Sequence, residues 1–182
     1  MEIIKTPISG LVIIKPRVFA DARGFFYETY NEKSYLEAGI DLHFCQDNQS
    51  KSSYGVIRGL HYQLNPQSQS KLVTVILGVV WDVAVDLRAA SPTYGQWYGV
   101  ELTEENHLQF LIPQGFAHGF SVLSETAVFS YKCDNFYSPT LERGIMYNDP
   151  ALAIDWKIPA DKAVISDKDL KHKLFADADK NF

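Results

Sequence analysis

The sequence predicts an all-β chain folded as a sandwich or barrel, on three observations. Its apolar runs are short, β-branched and aromatic, and turns bearing proline or glycine separate them. One run, Val79 to Leu87, alternates strictly, with Trp81, Val83, Val85 and Leu87 on one side and Asp82, Ala84 and Asp86 on the other. Aromatic residues make up 13% of the 182 residues, ten Tyr and eleven Phe among them, a composition that suits two packed sheets.

The elements follow in order. Ile3-Ile4 and Leu11 to Ile14 read as strands joined by a turn at Pro7 and Gly10, and Pro16 ends the second. Phe19 to Glu28 turns at Gly24, and Phe26 and Glu28 are expected to share a face of the strand that follows. Asn31 suits the cap of a short helix over Glu32 to Ala38, closed by Gly39. Phe44 to Asn48 reads as a strand with Gln46 and Asn48 on one face; two readings stand, exposed amides or fixed hydrogen-bonding groups. Beyond Leu87 come strands over Gln96 to Leu102, Gln109 to Ile112 and Thr126 to Lys132. After the Pro113–Gly115 bend, Phe116, His118 and Phe120 alternate onto one face. From Ser138 the chain loosens into turn signals, and Ser166-Asp167-Lys168-Asp169 precedes a polar tail that allows a helix.

The chain is organised around Tyr54 to Gln63 and the apolar strand Lys71 to Gly78, with the polar stretch Asn65 to Ser70 read as the loop of a long hairpin. Arg58, His61 and Lys71 gather two cations and an acid–base group there. Residues three apart on a regular strand diverge, so Gly59 is expected to mark a bulge that re-aims its neighbours.

Composition narrows the function. With 46% hydrophobic residues and no repeat, low-complexity tract or linker, residues 1–182 read as a single domain. The net charge of −5 supplies no global basic field for nucleic acid or an anionic membrane, so anionic ligands fall to local cations such as Arg23, Arg58 and Lys71. Cys45 and Cys133 lack metal-type spacing, and both read as small buried apolar residues. No apolar run is of membrane-spanning length and the first residues lack signal-peptide features, so a soluble cytoplasmic protein is expected.

Two segments, Gly59 to Gln63 and Pro113 to His118, resemble the paired motifs of the cupins, which implies a double-sheet jelly-roll barrel with short peripheral helices. In metal-binding cupins the first motif carries a second histidine where this chain has Gln63. His61 and His118 alone make a poor metal site, so no metal or other cofactor is expected.

The resemblance narrows to the dTDP-4-dehydrorhamnose 3,5-epimerase family and covers nearly the whole chain. It is carried by Phe19-x-Asp21-x-Arg23-Gly24-x-Phe26-x-Glu28, Gln46 to Ser50, Val56 to Gln63, and Lys71-Leu72-Val73. Asp82 to Arg88, Pro113 to Phe120, Tyr131-Lys132, Asn148-Asp149-Pro150 and Ser166 to Asp169 continue it. Lys171-His172-Lys173 departs from a segment that often carries proline in the family.

The resemblance implies epimerisation of dTDP-4-keto-6-deoxyglucose at C-3 and C-5, by proton abstraction next to the C-4 ketone. By resemblance His61 is the base, Asp169 holds its other ring nitrogen, Lys71 stabilises the enolate and Tyr131 is the opposing acid. The same resemblance gives Arg23, Glu28, Gln46, Asn48, Arg58, His118, Glu142 and Lys168 to nucleotide-sugar binding, and implies a homodimer. A single-centre epimerase or a 3,4-ketoisomerase on the same barrel is the nearest alternative. A metal-dependent cupin oxygenase is disfavoured by Gln63. A non-catalytic sugar-binding module leaves His61, Lys71 and Tyr131 unexplained.

Overall fold

A computed structural model describes residues 1–182. In chain order the strands are β1 (Glu2–Lys5), β2 (Val12–Lys15), β3 (Phe19–Asp21), β4 (Gly24–Phe26), β5 (Gln46–Ser53), β6 (Ile57–Gln63) and β7 (Lys71–Leu77). They continue with β8 (Val79–Asp86), β9 (Trp97–Thr103), β10 (Gln109–Ile112), β11 (Phe116–Val122), β12 (Thr126–Cys133) and β13 (Glu142–Gly144). The one α-helix, α1 (Glu32–Glu37), lies between β4 and β5, and 3-10 turns cover Ala160–Lys162 and Asp169–Lys171.

Two antiparallel sheets form the jelly roll: six strands in the order β1-β2-β10-β7-β12-β5, and five in the order β13-β6-β11-β8-β9. Strand alternation distributes side chains between the barrel interior and the outer faces. Val73 and Val75 of β7, Phe110 of β10, Phe120 of β11 and Phe129 of β12 pack inside. Leu72 of β7 and Leu111 of β10 point the other way, against Tyr35 of α1. Asn31 caps that helix as expected, its Oδ1 accepting from Ser34 N at 3.2 Å, and Gly39 follows at φ +84°.

The five-stranded sheet is covered on both sides. Val83, Val85 and Leu87 pack outward with Leu60 and Ala117 under Leu152 and Trp156. The loosened C-terminal stretch is therefore a cover tied down by polar locks. Asp149 accepts backbone N–H groups from Ala151, Leu152 and Phe175 at 2.8, 3.0 and 2.6 Å, and Ser121 Oγ donates to Trp156 O at 2.6 Å. A backbone bridge from Ile145 to Lys173 brings the tail against β13.

Five expectations change. β6 and β7 are not a hairpin: they belong to different sheets, and their side chains meet across the barrel. β5 runs eight residues to Ser53, because pairing with β12 along its length carries a polar sequence that no periodicity marks. β4 ends at Phe26, leaving Glu28 outside the strand. Cys45 is exposed, and only Cys133 is buried. The tail forms the short turn Asp169–Lys171 and no longer helix.

Candidate active site

Gly59 bears out the expected bulge. On β11, His118 faces His61 and Phe120 faces Arg58, so β6 carries one extra residue between them. A Cβ at Gly59 would stand 2.6 Å from Gly119 Cα, and the residue has φ +129°, so only glycine fits. The extra residue turns Arg58 and His61 into one cleft.

That cleft consists of two adjoining cavities, of about 330 and 260 Å³, sharing Asn48, His61, Lys71 and Tyr131. Gln46 and Glu142 line the first; Arg58 and His118 line the second. β6 and β11 deliver the histidines from one sheet, whereas β5, β7 and β12 deliver Asn48, Lys71 and Tyr131 from the other. Crossing between sheets is what sets Lys71 opposite His61.

His61 Nε2 lies 2.9 Å from Asp169 Oδ1, and Asp169 Oδ2 accepts the Gly59 backbone N–H at 3.2 Å. Burial alone would raise the Asp169 pKa, but the His61 hydrogen bond and charge, with the Gly59 N–H and His172, bring it down to about 2. An ionised Asp169 accepts from Nε2–H, which leaves Nδ1 of His61 as the nitrogen with a free lone pair.

The remaining groups sit in contrasting environments. Lys71 Nζ stands 5.9 Å from the Tyr131 ring centre. Burial pushes the Lys71 pKa down, while Cys133, Asp82 and Glu142 pull against it. Burial raises the Tyr131 phenol, keeping it protonated. His118 Nε2 lies 3.1 and 3.0 Å from the two oxygens of Asp82. Burial still holds the His118 pKa down against the pull of Asp82. At the mouth, Lys168 Nζ donates to Glu142 Oε2 at 2.6 Å and Tyr137 OH donates to the same oxygen at 2.8 Å.

Arg23 and Glu28 are not brought to this cleft. Arg23 pairs with Asp21 at 2.6 Å on the exposed β3–β4 hairpin, its side chain 90% exposed. Glu28 accepts from Asn31 Nδ2 at 3.0 Å and lines a separate cavity with Arg17 and Tyr35. Sequence reasoning missed Asp82, Tyr137 and His172 as neighbours of the site. The Asp82 signal was present, a carboxylate on the inward face of an alternating strand; Tyr137 stands in a loop with none.

Gln63 is spent on neighbouring loops. Its Nε2 donates to Gln67 O and Phe136 O at 2.5 and 3.2 Å, and its Oε1 accepts from Ser138 N at 2.6 Å, so both ends of the amide fasten loops. His61, Asp169 and His172 do offer three metal-capable donor atoms within 4.8 Å of one another.

A jelly roll whose barrel sets a carboxylate-backed imidazole opposite a lysine and a phenol belongs to the cupin-type proteins equipped for acid–base chemistry. Comparison with known proteins narrows this. Residues 5–177 match the family model described as dTDP-4-dehydrorhamnose 3,5-epimerase. The Shigella flexneri dTDP-4-dehydrorhamnose 3,5-epimerase is 53% identical over 180 residues, 98% of each chain. The crystal structure of the enzyme of that name from Elizabethkingia anophelis is 57% identical over 97% of both chains, with a TM-score of 0.93. A Legionella pneumophila 3,5-epimerase, solved with dTDP-4-keto-L-rhamnose, is 53% identical, covers 98% of this chain and 94% of its own, and has a TM-score of 0.94. The chain belongs to the dTDP-4-dehydrorhamnose 3,5-epimerase family.

Proposed function

We propose that this protein inverts C-3 and C-5 of dTDP-4-keto-6-deoxyglucose, giving dTDP-4-dehydro-L-rhamnose, with the residues of the cleft in distinct roles. The observation that carries the reading is the His61–Asp169 pair, 2.9 Å apart, in one cleft with Lys71 and Tyr131. Nδ1 of His61 takes the proton from the carbon next to the C-4 ketone, and the electron pair moves onto the C-4 oxygen. Asp169 stabilises the imidazolium so formed. Lys71 meets charge that is larger on the enolate than on the ketone, so it favours the transition state over the substrate. Tyr131 returns a proton to the opposite face as the enolate collapses, and the phenolate and imidazolium then exchange protons with solvent before the second centre reacts.

Binding falls to other side chains. Ser52 Oγ accepts from Arg58 Nε at 3.1 Å, which leaves the terminal nitrogens of the guanidinium for two diphosphate oxygens. Gln46, Asn48, His118, Glu142 and Lys168 surround the nucleotide sugar. No metal or redox cofactor takes part; Gln63, spent on backbone groups, supports this.

Arg23 and Glu28 take their part in a homodimer. The β3–β4 hairpin pairs with no other strand, and its Phe19, Phe25 and Phe26 are 52, 60 and 68% exposed. β1 leaves a free sheet edge nearby in the chain. A second copy that covers these aromatics carries Arg23 and Glu28 to its partner's cleft. No helix is long and apolar enough to cross a membrane; we read the protein as a single-domain cytoplasmic enzyme acting on a free sugar nucleotide.

The test is to incubate dTDP-4-keto-6-deoxyglucose with the enzyme in deuterated water and locate the label by NMR. Deuterium at both C-3 and C-5 with the L-configuration is expected. Label at one carbon alone would make the protein a single-centre epimerase.

A further inference from the structure

His172 is a largely buried ring that the proposed reaction leaves unused. It stands edge-on to His61, ring centres 5.4 Å apart at 89°. Its Nε2 is 3.9 Å from Asp169 Oδ1, too far for a hydrogen bond, and its side chain is only 12% exposed. Its Nδ1 is buried without a partner. Burying Nδ1 without a partner is unfavourable, and Nε2, the nitrogen nearest Asp169, makes no hydrogen bond and is free to act as a ligand.

The surroundings hold it in place. Gly144 lies opposite His61 on β13, and a Cβ at that position would run into the His172 ring. The backbone pins both flanks: His172 N donates to Asp169 O at 3.2 Å, and Lys173 O accepts from Met146 N at 2.8 Å.

We propose that His61, Asp169 and His172 form a binding site for a divalent transition ion, Zn²⁺ being the ion whose ligand preferences they match. Two imidazoles and a carboxylate are a common zinc donor set, with solvent as the fourth ligand. Bonds of about 2.0–2.1 Å in a tetrahedron place donors roughly 3.4 Å apart. The distances found, 2.9 Å from Asp169 Oδ1 to His61 Nε2 and 3.9 Å to His172 Nε2, bracket that value. The ion takes the place of the proton shared by His61 and Asp169. This donor set differs from that of the metal-binding cupins, whose second-histidine position is Gln63 here.

Charge sets the affinity. Lys168, Lys171 and Lys173 line the adjoining cavity of about 460 Å³ and oppose a cation. Glu142 pairs with the first at 2.6 Å and Asp179 with the third at 3.4 Å. Reversible binding that a chelator undoes is expected. Coordination through Nε2 forces the remaining ring proton of His61 onto Nδ1, and a protonated Nδ1 cannot accept a proton from the sugar. This inhibitory consequence rests on His61 being the base; the ion site does not.

The experiment uses the chelator-treated full chain. Zn²⁺ is titrated calorimetrically, Co²⁺ is followed by visible absorption, and activity is read alongside. One ion per chain, tetrahedral Co²⁺ bands and inhibition that EDTA reverses are expected. H172F and H172Q should keep metal-free activity and weaken Zn²⁺ at least tenfold. Absence of a stoichiometric ion in the unmutated protein, or equally tight binding in folded H172F and H172Q, would overturn the site. Ordered binding without inhibition upholds the site and removes His61 from the role of base.

Discussion

His61 and Asp169, 108 positions apart in the chain, meet with Nε2 and Oδ1 2.9 Å apart. The carboxylate is held on its other oxygen by the backbone N–H of Gly59, two residues before the histidine it supports. The bulge that aims His61 thus also anchors its partner. Asp169→Asn keeps the shape but removes the charge that stabilises the imidazolium, and its amide can present N–H to Nε2. We expect kcat to fall by about 100-fold or more with KM changed by less than about threefold, measured by steady-state kinetics.

Tyr131→Phe is expected to separate the two inversions. Phenylalanine retains the ring that packs near Phe129, ring centres 6.1 Å apart in the present protein, and deletes the proton. His61 still abstracts, so solvent deuterium still enters the sugar. Solvent can replace the donor at C-3, whereas inversion at C-5 fails. NMR of the product in deuterated water checks this; undiminished formation of the doubly inverted sugar would remove Tyr131 from the role of acid.

Arg23 and His61 offer a test of the homodimer. If Arg23 serves the partner's cleft, Arg23→Ala and His61→Asn are each nearly inactive alone. Mixing and re-equilibrating the two gives heterodimers with one complete cleft, and activity should reappear at a sizeable fraction of the unmutated level. Activity no higher than the sum of the two variants would place Arg23 in its own subunit's site or in none.

The turn after β8 supplies a stability prediction. Asp86, fully buried, accepts from Arg88 Nε and Nη2 at 2.8 and 2.7 Å, Ser91 Oγ at 2.6 Å and Thr93 Oγ1 at 2.7 Å. Burial opposes ionisation, but these donors outweigh it and hold the pKa at about 2. A folded pKa below the unfolded one means stability present above about pH 4 and lost as pH falls through about 2. Asp86→Asn should therefore cost about 2 kcal/mol near neutral pH. Urea unfolding across pH should show the difference closing towards pH 2.

Much of this was legible in the sequence because local chemistry and global structure agree there. Strict alternation from Val79 to Leu87 marks a strand, though not that its aspartates are buried too, and Gly59 between Arg58 and His61 marks the bulge. The β6–β7 connection misled because two apolar strands joined by a polar loop look the same whether they pair or cross between sheets. β5 was cut short because Gln49 to Ser53 has no apolar face of its own; β12 supplies its partner. Family motifs gave Arg23 and Glu28 to the site, but the sequence does not say in which copy they act. His172 carried no signal, since its neighbours are set by the fold of an irregular tail.

Solvent exchange in His61→Asn decides whether His61 is the base for both carbons. The variant should still bind dTDP, because Arg58 and the other binding groups are untouched. Deuterium uptake from solvent should vanish at C-3 and at C-5 together. Exchange at the unmutated rate at either carbon, in a variant that binds dTDP normally, would assign the base to another residue.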